Sequence, residues 1–152
     1  MRSASLVRFT TGLLIVLLSI TSGCDPDLSD DPIPFLAFPD VTINLTLPAY
    51  SGLSTTGGYA TNDEAGVRGV IIYRESSSSF RVFERNCSYH PNDACATVNV
   101  DVSGLFMFEP CCSSTFSFSS GQPTGGIAWR PLRQYKVILD SNFLIITDEI
   151  LE

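Results

Sequence analysis

The sequence is poor in histidine and in basic residues: it has one histidine, and nine lysines and arginines against sixteen acidic residues. A single histidine excludes any metal or cofactor site that needs two imidazoles from this chain. The shortage of positive charge leaves no basic patch of the kind that binds nucleic acid. The sequence also has no Gly-x-Ser-x-Gly motif and no lysine-bearing phosphate loop, so nothing in it points to an enzyme.

The longest apolar run lies near the N-terminus, at residues 12–20 (GLLIVLLSI), and follows two arginines. It is too short to span a bilayer comfortably and is typical of a secretory signal. The next residues, Thr-Ser-Gly-Cys at 21–24, resemble a bacterial lipobox, in which cleavage precedes the cysteine and lipid is attached to its thiol. We therefore predict a lipoprotein signal peptide over residues 1–23 and lipidation of Cys24. The alternative is a plain signal peptide that is cut nearby.

The predicted mature chain is acidic and is attached to a membrane. Removing residues 1–23 removes two basic residues and leaves seven against sixteen acidic ones, a formal net charge of about −9. We expect a location in the bacterial cell envelope, facing the periplasm or the cell surface, with contact to the membrane through the lipid. Residues 24–37 are acidic and rich in proline, which predicts a flexible tether, and residues 38–152 are predicted to form one domain.

Beyond the predicted tether the pattern is that of an all-β protein. Apolar and β-branched residues alternate with polar ones in short runs, and turn residues separate the runs. Residues 47–60, which contain several glycines, are expected to form a loop. The predicted strands are 41–47, 66–75, 80–84, 97–102, 104–109, 114–119, 135–140 and 143–147. No segment of the mature chain has a long helical period, so we predict an antiparallel sandwich or small barrel.

Four cysteines remain once Cys24 is assigned to the lipid: Cys87, Cys95, Cys111 and Cys112. An even number of cysteines in an exported domain indicates disulfides or a metal site, and three disulfide connectivities are possible. Cys87 and Cys95 lie in the loop after one predicted strand, and Cys111 and Cys112 lie in the loop after another. We expect these two loops to face each other at one end of the sheets. Adjacent side chains on an extended backbone point in opposite directions, and Cys111 and Cys112 should therefore have different partners.

Over roughly residues 66–147 the chain resembles the Rieske iron–sulfur domain, and residues 109–137, EPCCSSTFSFSSGQPTGGIAWRPLRQYKV, follow the order of that family's motifs closely. The resemblance implies a small antiparallel β-sandwich or barrel with two cysteine-bearing loops at one end. The positions that match the family pattern are Phe116, Gly121, Gly126, Ala128, Pro131, Leu132, Tyr135 and Val137.

The cluster ligands of that family are mostly not retained. A Rieske [2Fe-2S] cluster is held by two cysteines and two histidines. In this chain Cys87 stands at the first cysteine position, and Tyr89 stands at the first histidine position, with His90 one residue later. Glu109 replaces the second cysteine and Cys112 replaces the second histidine. The resemblance therefore implies a [2Fe-2S] cofactor whose ligand set is degenerate here.

The resemblance also implies a disulfide between Cys95 and Cys111, because Rieske proteins of the respiratory-chain type carry such a clasp between the two loops. That pairing leaves Cys87 and Cys112 facing each other. They are expected to form a second disulfide, or to bind a metal together with His90, with Glu109 as a further candidate ligand.

Three functions stay open on these residues. The first is a disulfide-stapled structural or binding module that is not an enzyme. The second is a one-electron carrier that binds [2Fe-2S] through non-standard ligands, namely Cys87, Cys112 and a pair from His90, Glu109 and the other two cysteines. The third is a zinc site. The protein partner is not indicated by the sequence.

Overall fold

The computed structural model describes residues 31–151, which form ten β-strands and one short 3₁₀ helix. Cys24, the predicted signal peptide and residues 24–30 of the predicted tether lie outside the described residues. The strands are β1 (Val41–Asn44), β2 (Tyr59–Asn62), β3 (Val70–Arg74), β4 (Phe80–Glu84), β5 (Asn99–Val100), β6 (Met107–Glu109), β7 (Ser114–Phe116), β8 (Pro123–Gly125), β9 (Gln134–Asp140) and β10 (Phe143–Leu151). The 3₁₀ helix is Pro48–Ser54. None of the helical structure within residues 31–151 is long and apolar enough to cross a membrane.

The strands form two antiparallel sheets. The larger has six strands in the order β1-β10-β9-β4-β3-β2, and the smaller has four in the order β5-β6-β7-β8. The predicted all-β, antiparallel class with two cysteine-bearing loops is confirmed.

Strands β3 and β4 join the two layers because they are buried on both faces. Val70 and Ile72 pack into the core of the larger sheet, whereas Ile71 points to the opposite face and packs with the smaller sheet. The same alternation places Val82 in one core and Phe83 in the other. A strand buried on both faces has a continuous apolar run rather than an alternating pattern, which accounts for the sequence of β3.

Two strands lie where the sequence did not predict them. Residues 47–60 were expected to be a loop, but they contain the 3₁₀ helix and the start of β2, which pairs with β3 through Tyr59–Tyr73 and Asn62–Val70. Glycines at 57 and 58 directly precede β2, and β2 itself has only four residues. The alternating pattern is therefore too short to indicate a strand. Strand β8, Pro123–Gly125, begins with a proline, which is compatible with its place at the sheet edge.

The last hairpin turns where the sequence predicts it, and its second strand is longer than expected. β9 and β10 pair from Phe143–Asp140 to Leu151–Gln134, with a bulge between Ile146 and Ile150. Ser141 occupies the turn with a φ of 57°, a left-handed conformation. The bulge interrupts the alternation of apolar and polar residues. The predicted strand therefore ends at residue 147, although β10 continues to Leu151.

The described part of the predicted tether lies against the domain. Arg130 donates from Nη1 to the Asp31 carbonyl at 2.9 Å, and Arg133 donates from Nη2 to the Ile33 carbonyl at 2.9 Å. Arg133 also donates to the Pro34 carbonyl, and its guanidinium lies 5.6 Å from the centre of the Phe35 ring. The segment 31–35 is therefore in contact with the residues that lead into β9, while the domain boundary at residue 38 stays a prediction.

Candidate functional site

Two loops carry the cysteines: loop 1, residues 85–98, follows β4, and loop 2, residues 110–113, follows β6. Backbone hydrogen bonds close the base of loop 1, from Cys87 N to Ala96 O at 3.0 Å and from Val98 N to Arg85 O at 2.7 Å. These bonds hold Cys87 in the wall of the smaller core and leave Cys95 exposed at the end of the loop.

Arg68 attaches loop 1 to the larger sheet. Its guanidinium donates to the Ala94 carbonyl at 2.8 Å, to the Thr97 hydroxyl at 3.2 Å and to the Asp93 carbonyl. The backbone N–H of Arg68 in turn donates to the buried carboxylate of Glu84 at 3.1 Å. The sequence does not indicate this role of Arg68, since an arginine in a short turn has no local signature of it.

Glu109 shapes loop 2 from inside the protein. This carboxylate is 1% exposed, and it accepts the backbone N–H groups of Cys111 at 2.9 Å and of Cys112 at 2.7 Å. A buried charge is tolerated when hydrogen bonds of this kind satisfy it. Glu109 therefore turns the chain so that the two neighbouring cysteines leave in different directions.

The outer cysteine pair is bridged. The structure has a disulfide between Cys95 and Cys111, with a Cα–Cα distance of 6.1 Å and a sequence separation of sixteen. Both residues are exposed, so the bridge crosses the outer surface between loop 1 and loop 2. It joins the pair that the Rieske resemblance implied.

The inner pair consists of two thiols in contact. The Sγ atoms of Cys87 and Cys112 lie 3.9 Å apart, Cys87 is fully buried and Cys112 is half-buried. A carboxylate oxygen of Glu109 lies within 4.8 Å of both sulfurs. The backbone N–H of Tyr89 donates to the Cys87 sulfur at 3.4 Å. The structure thus collects two sulfurs and one carboxylate beneath the outer disulfide.

Burial keeps both thiols protonated. It raises the pKa of Cys87 to about 12, against a weaker lowering by the Tyr89 N–H, and the charges of Cys112 and Glu109 raise it further. Burial also raises the pKa of Cys112, and its hydrogen bond with Glu109 acts in the same direction. The thiolate, rather than the thiol, is the nucleophile and the metal ligand. Neither cysteine is therefore a reactive nucleophile at neutral pH as long as both remain thiols.

Ser114 connects Cys112 to a third loop, residues 126–130. Its hydroxyl oxygen accepts the backbone N–H groups of Ile127 at 3.2 Å and Ala128 at 3.0 Å, and lies 3.1 Å from the Cys112 sulfur. The approach requires glycine at 126, where φ is 83° and a Cβ atom would lie 2.4 Å from the Ser114 Cα. Ser114 is the first residue of a predicted strand, and a serine at that position carries no sequence signal of this role.

His90 lies at the edge of the site. It is half-buried with a φ of 48°, and its ring meets the ring of Tyr89 edge-on at 4.3 Å. It lines a cavity of about 110 Å³ together with Glu109 and Cys112. Within residues 31–151, however, the group of donor atoms that converge comprises Cys87, Glu109 and Cys112, without His90.

The donor set does not fit a Rieske [2Fe-2S] cluster. Such a cluster needs four ligands, two thiolates on one iron and two imidazoles on the other. Here Cys95 and Cys111 are joined to each other, and the convergent donors are two sulfurs and a carboxylate that already accepts two backbone N–H groups. Thiolates and imidazoles, rather than carboxylates, are the usual ligands of iron–sulfur centres.

No protein-family model and no curated protein matches the chain. Among solved structures it is similar to a chain of the complex of reduced oxygenase and oxidized ferredoxin in carbazole 1,9a-dioxygenase, with 16% identity, a TM-score of 0.47, and coverage of 64% of this chain and 87% of that one. It is also similar to the ferredoxin of carbazole 1,9a-dioxygenase from Nocardioides aromaticivorans IC177, with 19% identity, a TM-score of 0.43, and coverage of 61% and 86%. At these values neither carries an argument about ligands, activity or partners.

Proposed function

We propose that the protein is a lipid-anchored cell-envelope protein whose Rieske-like domain acts as a disulfide-stapled structural or binding module without a two-iron cluster. The observation that carries the proposal is the arrangement of the four sulfurs. Cys95 and Cys111 are bridged, and Cys87 and Cys112 meet at 3.9 Å directly beneath them. Cys87, which stands at the first cysteine-ligand position of a Rieske domain, here has the sulfur of Cys112 as its neighbour.

The inner pair is proposed to close as a second disulfide in the oxidising envelope. Oxidation removes one hydrogen from each thiol of Cys87 and Cys112, forms the S–S bond and passes two electrons to the disulfide of a thiol oxidase through a mixed disulfide. The two sulfurs lie 3.9 Å apart, so they must approach each other by roughly 1.9 Å to form an S–S bond of about 2.05 Å. A pair closed during export, before burial raises the pKa values of the thiols, meets no kinetic obstacle.

The dimensions of the site favour a surface role over small-molecule chemistry. The cavity beside Cys112 has a volume of about 110 Å³. Pockets that bind drug-sized ligands or cofactors are on the order of 300–1,000 Å³. A module of this kind therefore acts by presenting its rigid, stapled loops to a partner.

Thiol counting tests the proposal. We expect the purified protein, denatured and treated with iodoacetamide without reductant, to gain no alkyl groups on residues 87, 95, 111 and 112. After reduction it should gain four on these residues, and the protein should contain neither iron nor acid-labile sulfide. Iron and sulfide in stoichiometric amounts would overturn it.

A mononuclear zinc site is a second candidate, favoured by the separation of the two sulfurs. Two zinc–sulfur bonds of about 2.3 Å at the tetrahedral angle place the sulfurs roughly 3.8 Å apart, close to the 3.9 Å between Cys87 and Cys112. Glu109 would be the third ligand. In the thiol-counting experiment this site would give two alkylatable thiols after denaturation and one zinc ion per chain.

The lipid anchor has its own test. We expect the mature protein to begin at Cys24 and to carry a lipid-sized mass increment, and Cys24→Ala should abolish both processing and partition into a detergent phase. A mature N-terminus at another residue, without added mass, would contradict the anchor and leave the account of the four sulfurs untouched.

A further inference from the structure

We propose that the cysteine-loop end of the domain lies on the membrane surface, with Trp129 and Ile127 in contact with lipid. The inference deepens the proposed function and rests on the lipid anchor at Cys24. The partner it names is a lipid bilayer, rather than a second protein.

Asp31 lies at the cysteine-loop end, because its carbonyl accepts from Arg130 at 2.9 Å and its carboxylate accepts from Asn92 of loop 1 at 3.4 Å. Arg130 also donates from Nη2 to the Ser88 carbonyl, which fixes the guanidinium between Asp31 and loop 1. The anchored chain therefore reaches the domain beside the two cysteine loops.

The chain between the predicted anchor and Asp31 is short. Seven residue steps separate Cys24 from Asp31, and a fully extended chain of that length spans at most about 25 Å. A domain of this size is roughly 35 Å across. The lipid therefore holds the cysteine-loop end on the membrane side whatever the path of the intervening residues.

The surface at the cysteine-loop end exposes large apolar side chains. Trp129 is 49% exposed and Ile127 is 55% exposed, and both lie in the third loop, which Ser114 fixes beside Cys112. Phe35 and Leu36 are also exposed, in the N-terminal segment that Arg130 and Arg133 hold against the domain. The guanidinium of Arg130 lies over the Trp129 ring, 5.2 Å from its centre, so a cation accompanies the half-exposed indole. Tryptophan next to arginine is typical of residues at a membrane–water interface.

Charge selects the kind of lipid surface. Asp31 and Asp93 are exposed at the same end of the domain, and the mature chain is acidic. A strongly anionic surface would repel this end, whereas zwitterionic lipid would not. The surface is therefore expected to be rich in zwitterionic phospholipid.

Fluorescence gives the test because Trp129 is the chain's one tryptophan. Full-length lipidated protein would be reconstituted on phosphatidylcholine–phosphatidylethanolamine vesicles with brominated or ordinary acyl chains. We expect Trp129 to lose most of its emission on the brominated vesicles. The matched control is Leu105→Trp in a Trp129→Phe background. Leu105 is 78% exposed in the turn that precedes β6, at the opposite end of that strand from loop 2, and its emission should be unchanged.

The outcomes separate this inference from the proposed function. Protein that floats with vesicles but shows no quenching of Trp129, or equal quenching at positions 105 and 129, overturns the membrane-facing orientation and leaves the anchor standing. Protein that does not float overturns both. A folded Ile127→Asp variant supplies a second measurement, since it should still float through its lipid but show weaker quenching of Trp129. Unchanged quenching in that variant would remove Ile127 from the contact.

Discussion

Each cysteine loop begins at a buried glutamate, and the two glutamates differ in how many hydrogen-bond donors their carboxylates accept. Glu84 ends β4 and Glu109 ends β6, and each accepts the backbone N–H two residues ahead at 2.9 Å, from Asn86 and from Cys111. Both carboxylates are essentially inaccessible to solvent, with exposures of 0% and 1%. The two loops therefore use one device to leave the sheet.

The surroundings of the two carboxylates are different. Glu84 also accepts from Val67 N at 2.8 Å, Arg68 N at 3.1 Å and the Tyr135 hydroxyl at 2.8 Å, so four donors fill its acceptor sites. Glu109 accepts two backbone N–H groups, and its remaining lone pairs lie near the sulfurs of Cys87 and Cys112. A saturated carboxylate is a structural group, whereas a half-saturated one beside two thiols belongs to the site.

The largest expected effect comes from removing the saturated carboxylate. Glu84→Ala leaves two buried and two half-buried donors without this acceptor. An unsatisfied buried donor costs about 1–3 kcal/mol, so we expect the free energy of unfolding to fall by roughly 4 kcal/mol. Urea unfolding measures it. The matched control is Glu75→Ala, which removes a partly exposed ion pair with Arg81 and should cost at most about 1 kcal/mol. Equal losses in the two variants would show that Glu84 is not saturated.

The next effect concerns the outer disulfide. The double variant Cys95→Ser/Cys111→Ser should lose about 3 kcal/mol of unfolding free energy, because the bridge closes a loop of sixteen residues. Reductant should lower the free energy of unfolding of the wild type by at least as much, and it should lower that of the variant less. If the variant melts with the wild type, loops 1 and 2 are held together without the clasp.

A smaller effect separates Glu109 from Glu84 by chemistry. Glu109→Gln keeps the shape but weakens two charge-assisted hydrogen bonds, at a cost of roughly 1–2 kcal/mol. It also removes the group that helps to raise the pKa of Cys112, so reduced Cys112 should react faster with iodoacetamide. Glu84→Gln should leave the alkylation rate of the folded protein unchanged. A rate that is equally unaffected in Glu109→Gln would place that carboxylate outside the site.

The last effect is confined to alkaline pH and to the reduced protein. The pKa of Cys87 is raised from 9.0 to about 12 on folding, so the folded state holds its proton more tightly than the unfolded state. Its contribution to stability is complete below pH 9 and is lost as the pH rises from there toward about 12. Urea unfolding of the reduced protein should show this loss, and Cys87→Ala should show a flatter dependence. A steeper loss in the variant would contradict the burial of this thiol.

The sequence predicts strands best where one physical rule acts alone. The turn at Ser141 and the apolar runs of β3 and β4 follow from alternation, burial and turn residues, and these elements lie where the patterns place them. Strand β2 escapes prediction because two glycines precede a four-residue strand, and its pairing with β3 is a tertiary contact.

The chemistry of the site was harder to predict than the position of its cysteines. The loop positions of the cysteines follow from where strands end, which is local information. The burial of Glu84 and Glu109 does not follow from local information, since a glutamate at a strand end is most often exposed. Their role depends on N–H groups that the fold brings from other segments, as with Val67 and Arg68 on Glu84.

The most direct test of the central claim, that Cys111 pairs outward and Cys112 pairs inward, is to map the free thiol in Cys87→Ser. The variant would be denatured, alkylated without reductant, then reduced and sequenced by mass spectrometry. We predict that, among residues 87–112, the alkyl group is on Cys112, with Cys95 and Cys111 still bridged. An alkyl group on Cys95 or Cys111 would contradict the pairing and the separation of the two sites.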